Sequence, residues 1–297
     1  MTAQINNALV IQFSEQVHLK AQQMKSRLRD KTEQKMVKGE DYAYEDIGSL
    51  EAIEITSRHQ DTVGQDITHG RRRIRMREFR ATIYLDKKDQ LETLIDPQRN
   101  YAQAVARALY RKYDKIAAEA AFASVYTGKD FSTVVTAAND GVDTITATGG
   151  LTYDKLLELE EEFIDDDVGT DEMEDYYLAI TGEENTDLKG ETELMSGDFS
   201  RQFAIDNKNG RLQMANGFEL VHFAANAAIP ILDVTAAVRS CIAASKRGIC
   251  VGISEELQVE IDKRPDKNNL VQIQASMFMG GVRAEGKLVK KVTTTVT

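Results

Sequence analysis

The longest helical pattern in the chain runs from residue 96 to residue 128, and it limits the possible folds. Asp96 is a good N-cap, Pro97 suits the first helical position and Gly128 is a credible C-cap. A helix of about 28 residues would be about 42 Å long, well above the globular average. We therefore expect a spine on which other elements are mounted. Its apolar face, at spacings of three and four, consists of Tyr101, Val105, Leu109, Tyr113 or Ile116, and Ala120.

The remaining patterns mix strands and helices without regular alternation, which predicts an α+β fold. Residues 1–38 are weakly amphipathic and indicate either a frayed terminal helix or an arm that orders against a partner. A second helix begins after Thr152, with Leu156, Leu159 and Phe163 on one face. Residues 182–202 are polar and are interpreted as a loop. Strand patterns occur in EAIEIT (51–56), ATIYLD (81–86), short stretches of 129–150 around a turn at 139–141, DYYLAIT (175–181), a hairpin with its turn at Asn216-Gly217, two strands flanking 264–266, and the last residues. The apolar stretch VRSCIAASKRGICVGI (238–253) is expected to be buried.

Composition is that of a soluble globular protein, with 42% apolar and 29% charged residues. The 297 residues suffice for one large or two ordinary domains. No apolar run reaches the length of a membrane helix, and the N-terminus lacks the pattern of a secretory signal, so we expect folding in a cytoplasm. Cys241 and Cys250 are expected to be buried thiols, and the four histidines lack metal-ligand spacing.

Six arginines occupy the ten positions from Arg71 to Arg80, although the chain has a net charge of −11. On a strand, Arg73, Arg75 and Arg77 would share one face, with Ile74 and Met76 on the other. The segment could be a solvated basic strand, a nucleic-acid contact, or a complement to an acidic partner. Residues 151–200 contain eighteen acidic residues against two lysines, a local net charge of −16.

We favour charge complementarity, in another copy if not in the same one, because the segment lacks interleaved aromatic residues for base stacking and the overall charge repels a polyanion. The predicted subunit-contact residues are Arg71, Arg72, Arg73, Arg75, Arg77, Arg80, Asp165, Asp166, Asp167 and Glu172.

Motifs for catalysis or cofactor binding receive no support from the sequence. The stretch from Gly281 to Lys287 has the spacing of a phosphate-binding loop, but Leu288 follows where Ser or Thr should hold magnesium, and the next residues read as a strand. The acidic run around Asp165 lacks the ligand spacing of a calcium loop, and a solvated face is the simpler interpretation. We predict no enzymatic activity, no metal site and no cofactor.

The order of the parts resembles the major capsid proteins of tailed bacteriophages, which have the Hong Kong 97-type fold. Four phrases resemble parts of that family: TGEENTDLKGETELMSGDFSR, NGRLQMANGFELVHF, CIAASKRGICVGISEELQVEID and GGVRAEGKLVKKV. The resemblance spans about residues 40 to 297. It implies an N-terminal arm at 1–50 and an extended β-hairpin loop at 51–95. It further implies a peripheral domain with the spine helix at 96–150 and 258–297, and an axial domain at 151–257.

By this resemblance the chain is expected to self-assemble, through pentamers and hexamers, into an icosahedral shell that encloses the phage genome without sequence-specific DNA binding. Scaffolding and portal proteins are implied as further partners, with room for decoration proteins and no role for a membrane. The short stretch before the spine helix suggests a separate scaffolding protein. Assembly in the bacterial host cytoplasm and a final location in the virion follow. The alternatives are an encapsulin-type nanocompartment shell, or a nucleic-acid-binding protein that uses residues 71–80.

Overall fold

A computed structural model gives the fold of the chain. It describes residues 22–54, 56–58, 61, 64–85, 98–168, 176–191, 205–206, 210–227, 230–267 and 269–296. The described helices are α1 (Gln98–Phe122), α2 (Tyr153–Asp165) and α3 (Gly182–Gly190). The described strands are β1 (Glu33–Met36), β2 (Asp41–Ile47), β3 (His69–Arg75), β4 (Arg77–Leu85), β5 (Val125–Thr127), β6 (Thr133–Val135), β7 (Thr144–Ala147), β8 (Tyr176–Ile180), β9 (Ile205–Asp206), β10 (Arg211–Leu212), β11 (Met214–Ala215), β12 (Phe218–His222), β13 (Val234–Thr235), β14 (Val238–Ser245), β15 (Ile249–Arg264), β16 (Leu270–Arg283) and β17 (Val289–Thr295).

The chain divides into two compact units. The first contains residues 1–25, 78–111 and 255–277, and the second contains residues 26–77, 112–254 and 278–297. The described helices include none long and apolar enough to cross a membrane.

The spine helix α1 is present, with 25 residues, and its predicted face is confirmed as buried at Val105, Leu109, Tyr113, Ile116 and Ala120. Asp96 and Pro97 lie outside the described residues. The predicted C-cap was wrong: the helix ends at Phe122, and Gly128 (φ +91°) lies between β5 and β6. The cause is Val125–Thr127, which pairs with β3 and β6 and so competes with helix continuation.

The second unit is built around a seven-stranded sheet. Its order is β11-β12-β8-β14-β17-β7, and β13 pairs with β14. Helix α2 buries Leu156, Leu159 and Phe163, as predicted, and the ring of Phe163 lies 4.9 Å from Tyr176 and 5.9 Å from Phe218. The predicted buried strand at 175–181 is confirmed as β8.

The β11–β12 hairpin turns at Asn216 (φ +49°) and Gly217 (φ +81°), as predicted. Positive φ at both central residues is the signature of a two-residue hairpin turn. The predicted strands on both sides of 264–266 and at the end of the chain are likewise confirmed as β15, β16 and β17. The apolar stretch 238–253 is largely buried, as predicted, and forms β14 and the first part of β15. Both cysteines are buried free thiols, also as predicted.

A four-stranded sheet has the order β1-β15-β16-β4. Its edge strand β1 runs parallel to β15, with Glu33 opposite Cys250 and Met36 opposite Ile253. Residues 1–38 were interpreted as either a frayed helix or an arm that orders against a partner, and for Glu33–Met36 the helical alternative was wrong. The segment has too few apolar residues to stabilise a helix by packing, so backbone pairing with β15 is the stronger interaction.

A further four-stranded sheet has the order β2-β3-β5-β6. The partner of the arginine-rich strand β3 is β2. The strand predicted at 51–56 was wrong over residues 51–54, which are exposed and without strand pairing. Strand β2 pairs with β3 because Tyr42 and Tyr44 pack against a buried apolar cluster. The apolar residues of 51–54 are exposed and pack against no such cluster in the described part of the chain.

The loop interpretation of residues 182–202 was wrong over its first part, where α3 forms; residues 192–202 lie outside the described part of the chain. Thr181 and Glu184 make a capping box at the helix start, and Leu188 is buried. A capping-box pattern was present in the sequence, but the scarcity of apolar residues hid it.

Candidate functional site: the arginine-rich hairpin

The arginine-rich segment is divided between β3 and β4, and its predicted two-faced character is confirmed. Ile74 and Met76 are buried and pack with Val37, Val125 and Val282. The alternate positions Arg75 and Arg77 are exposed. A strand of period two therefore anchors its apolar side in the core and presents arginines on the other side.

Carboxylates on the neighbouring strand β2 pair with three arginines of β3. Arg71 pairs with Glu45 at 2.9 Å, and Arg72 lies 3.6 Å from Asp46. Arg73 donates two hydrogen bonds to Asp41, at 2.8 and 2.5 Å, and these hold the pKa of Asp41 below its ordinary value. The sequence analysis missed these carboxylates, although the alternation in DYAYEDI could have indicated them.

On β4, Arg80 pairs with Glu78 at 2.5 Å, and both side chains are exposed.

Asp140 joins two arginines that are distant in sequence. Arg72 donates two hydrogen bonds to it, at 2.7 and 2.9 Å, and Arg283 donates another at 2.7 Å. Burial alone would raise the pKa of Asp140, but the bonds from Arg72 and Arg283 outweigh burial and lower it. Arg283 also donates to the backbone carbonyls of Ala121 and Ala123, at the end of α1. This carboxylate therefore joins the hairpin, the helix terminus and β16.

Two cavities adjoin the arginine-rich strand. One, of about 640 Å³, is lined by Asp46, His69, Gly70, Arg71, Arg72, Thr127, Gly128 and Lys129. The other, of about 340 Å³, is lined by Glu40, Arg73, Arg75, Met76, Arg77, Ala120, Ala123, Ser124, Val125, Tyr126, Gly281, Val282 and Arg283. We call the second cavity the arginine groove. Several arginines meet apolar side chains there, so it suits a segment that is both apolar and acidic.

Three of the acidic residues that the sequence singled out, Asp165, Asp166 and Asp167, lie at the end of α2. Asp166 accepts a hydrogen bond from Lys290 and lies 3.4 Å from Lys287. Burial would raise the pKa of Asp166, but these lysines lower it. Asp165 and Asp167 lie beside it at the helix end, and Glu172 lies outside the described residues. Within the chain, the arginines bind carboxylates of β2 and Asp140, while Asp166 binds lysines.

Lys290 is a buried cation that the sequence analysis missed. It pairs with Asp143 at 2.5 Å as well as with Asp166. Burial would lower the pKa of Lys290, but the two carboxylates raise it, so the amine stays charged. In the part of the chain that the structure describes, no group of three or more His, Cys, Asp or Glu could hold a metal ion.

A second missed feature anchors the chain before β1 to the spine helix. The fully buried carboxylate of Asp114 accepts hydrogen bonds from the Ser26 hydroxyl at 2.5 Å and from the Arg27 and Leu28 amides at 3.0 and 3.1 Å. Arg27 in turn donates to the His222 carbonyl and lies over the Phe223 ring. The residues just before β1 are thus held against α1.

The stretch from Gly281 to Lys287 does not open a helix. Strand β16 ends at Arg283 and β17 begins at Val289, which confirms the strand interpretation. A Cβ on Gly286 would lie 1.8 Å from the Asp140 carbonyl oxygen, so this glycine permits a close backbone approach.

Comparison with known proteins gives two kinds of match. A family model described as phage capsid protein matches residues 5–296. No curated protein matches the chain.

Among solved structures, the capsid structure of cyanophage P-SCSP1u is 14% identical with a TM-score of 0.73, and the match covers 99% of this chain and 95% of that chain. The structure described as Mycobacterium phage Che8 is 14% identical with a TM-score of 0.70, covering 97% of both chains. The head structure of Helicobacter pylori bacteriophage KHP40 is 8% identical with a TM-score of 0.74, covering 99% of this chain and 98% of that one.

Proposed function

Because the chain belongs to the phage capsid protein family, we propose that many copies of it close into the icosahedral shell around the phage genome. The observation that carries this proposal is the family match over residues 5–296. The fold is the Hong Kong 97-type capsid fold that the sequence predicted. As a capsid protein the chain is a component of the virion, and its proposed role is architectural, without a catalysed reaction or a cofactor.

The roles that we propose for the segments of the chain follow the predicted domains. Residues 1–50 would be the arm, 51–95 the extended loop, 96–150 and 258–297 the peripheral domain, and 151–257 the axial domain. The exposed residues described between Gly48 and Asp66, which connect β2 to β3, support an extended loop, although its first strand β2 lies before residue 51. The sheet that contains β14 also contains β7 and β17, so the two proposed domains would share one sheet.

Pentamers and hexamers of this chain would build the shell, with a scaffolding protein, a portal and, in some shells, decoration proteins as partners in the host cytoplasm. The ten residues predicted to contact neighbouring subunits remain our proposal. Arg75 is exposed, so an adjacent copy could approach it, which supports the proposal most directly. Arg71, Arg72, Arg73 and Asp166 make ion pairs within the chain.

Electron microscopy of the purified chain, expressed with and without its candidate scaffolding protein, tests the shell proposal. We expect closed shells, tubes or capsomer rings. A chain that stays monomeric in both preparations and turns over a substrate would contradict the proposal. An encapsulin-type shell would differ in enclosing protein cargo instead of DNA, and neighbouring terminase and portal genes would favour the phage shell.

The nucleic-acid alternative rests on the same arginines and has its own test. Arg73→Glu with Arg75→Glu should leave the weak, salt-dependent DNA affinity of the dissociated subunit unchanged while particles fail to form. The matched control reverses two charges on the β14–β15 turn, Lys246→Glu with Arg247→Glu, and should assemble normally. Loss of DNA binding with normal assembly in the arginine variant would support the alternative.

A further inference from the structure

The arginine groove carries more positive than negative charge. Of the described residues that line it, four are arginines and one is acidic: Arg73, Arg75, Arg77, Arg283 and Glu40. All five lie in the second compact unit. Like charges gathered around one cavity repel each other, and an anion placed between them converts that repulsion into attraction. The lining therefore favours an anionic ligand.

The carboxylates that the chain supplies to these arginines are partly shared. Asp140 accepts hydrogen bonds from both Arg283 and Arg72, so that one negative charge serves two guanidinium groups. Arg73 is held by Asp41 through two hydrogen bonds. Internal pairing thus fixes the positions of these side chains and leaves positive charge at the groove.

Arg283 provides a second, independent observation. Its side chain is fully buried, with Nε on Asp140 and Nη1 on the carbonyls of Ala121 and Ala123. Its Nη2 has no hydrogen-bond partner in the described part of the chain, which is unfavourable for a buried cationic donor. The bonds from Nη1 also cover the carbonyl end of α1, which would otherwise repel an anion. A hydrogen-bond acceptor beside Arg283 is therefore expected.

The size of the cavity limits the ligand. At about 340 Å³, it is near the lower end of the range for ligand sites, and part of its lining consists of the buried residues Met76, Val125 and Val282. An apolar wall lowers the local dielectric constant and so strengthens the attraction between an arginine and an anion. The small volume favours a compact ion over an acidic peptide, a nucleotide or a nucleic-acid backbone.

The arrangement of the arginines favours phosphate among the compact oxyanions. A guanidinium group can donate two parallel hydrogen bonds to a carboxylate or to a phosphate. A planar carboxylate presents two oxygens, whereas a tetrahedral phosphate presents four oxygens in different directions. Here the arginines come from three strands, with Arg73 and Arg75 on β3, Arg77 on β4 and Arg283 on β16.

We propose that the arginine groove binds a free phosphate ion, with Arg75 and Arg283 as its main donors and with Arg73 and Arg77 around it. The bound ion would connect β3 to β16 and to the end of α1. Because all the lining residues belong to one chain, phosphate would bind whether or not copies of the chain assemble.

Broadening of the phosphorus NMR signal of inorganic phosphate by the purified chain measures this binding directly. Arg75→Gln should weaken phosphate binding by about tenfold or more, because it removes a charged hydrogen-bond donor from an exposed position. The matched control, Lys246→Gln, removes an exposed positive charge from the β14–β15 turn and should keep the original affinity.

A second pair of variants leaves every arginine in place. Ser124→Asp puts a carboxylate in the lining at an exposed position and should abolish phosphate binding by repulsion, whereas the neutral Ser124→Asn should retain it. The urea midpoint of the original chain should rise with phosphate concentration, compared with chloride at equal ionic strength. Phosphate also stabilises folded proteins by exclusion from their surfaces, so the rise must be smaller in Ser124→Asp than in Ser124→Asn.

Two further probes distinguish a free ion from other sources of phosphate. Neither a nucleotide nor a short single-stranded oligonucleotide should displace inorganic phosphate from the chain. Displacement by either probe would assign the groove to that ligand and overturn the proposal. Equal phosphate binding by the original chain, Arg75→Gln and Ser124→Asp, or no binding by any of them, would also overturn it and would leave the shell proposal standing.

Discussion

Nε of Arg283 lies 2.7 Å from Oδ2 of Asp140, although the two residues are 143 positions apart in the sequence. Asp140 also receives two hydrogen bonds from Arg72, so the carboxylate connects three separate parts of the chain. An aspartate in a short turn thereby links the arginine-rich strand β3 to β16.

Asp140→Asn should destabilise the fold strongly. The substitution removes the charge that balances two buried or nearly buried guanidinium groups, and breaking a buried ion pair costs about 3–5 kcal/mol. The free energy of unfolding in urea measures the effect. Asp130→Asn, an exposed aspartate in the β5–β6 turn, is the matched control and should change stability by less than about 0.5 kcal/mol. Equal effects of the two substitutions would contradict the assigned role of Asp140.

The buried Glu184 should make stability depend on pH. Burial would raise its pKa, but hydrogen bonds from Thr181, Thr294 and Arg239 lower it below the ordinary value of 4.5. A carboxyl with a lowered folded-state pKa stabilises the fold above the unfolded value, and this contribution is lost as the pH falls through the folded value.

Urea midpoints measured from about pH 6 to about pH 3 should therefore fall less steeply for Glu184→Gln than for the original chain, although the variant is less stable at the upper end. Glu161→Gln, on the exposed face of α2, serves as control and should keep the original slope. Parallel pH profiles for all three proteins would refute this account of Glu184.

Asp114→Ala should release the chain before β1. Without the carboxylate, the Arg27 and Leu28 amides and the Ser26 hydroxyl lose their acceptor, at a cost of about 1–3 kcal/mol for the buried donors. Trypsin should then cleave after Arg27, Arg29 or Lys31 several-fold faster. Glu119→Ala, an exposed substitution on the same helix, should leave cleavage unchanged. The anchor assignment fails if both variants are cleaved at the original rate.

The elements that could be predicted from the sequence are those whose own pattern determines them. The spine helix carries its apolar face at helical spacing, and the Asn216-Gly217 turn needs residues that tolerate positive φ. The strand predicted at 51–56 is absent from residues 51–54, whereas β2, which alternates similarly, does form. Only tertiary packing of Tyr42 and Tyr44 selects β2, and no local pattern records that packing.

Tertiary packing also explains the missed ion pairs. The order of strands in the sheets brings Asp140 to Arg283 and Asp143 to Lys290. A single sequence gives the charge of each residue but not which residue lies next to it in the fold. The acidic run around Asp165 stood out by composition, yet its member Asp166 binds two lysines of its own chain. Charge density in a sequence therefore indicates surface character better than it indicates a partner.

The glycines and lysine of the 281–287 stretch give the last prediction. Gly286→Ala should destabilise the fold, because the new Cβ would lie 1.8 Å from the Asp140 carbonyl oxygen and the backbone would have to move. Such overpacking costs about 1–3 kcal/mol or more. Lys287→Ala should change stability by less than about 1 kcal/mol, because the Lys287 side chain, which pairs with Asp166, is more than half exposed.

Thermal unfolding in the presence and absence of nucleotide tests whether residues 281–287 form a phosphate-binding loop. A loop of that kind would lose nucleotide-dependent stabilisation in Lys287→Ala, whereas we expect no such stabilisation in the original chain or in either variant.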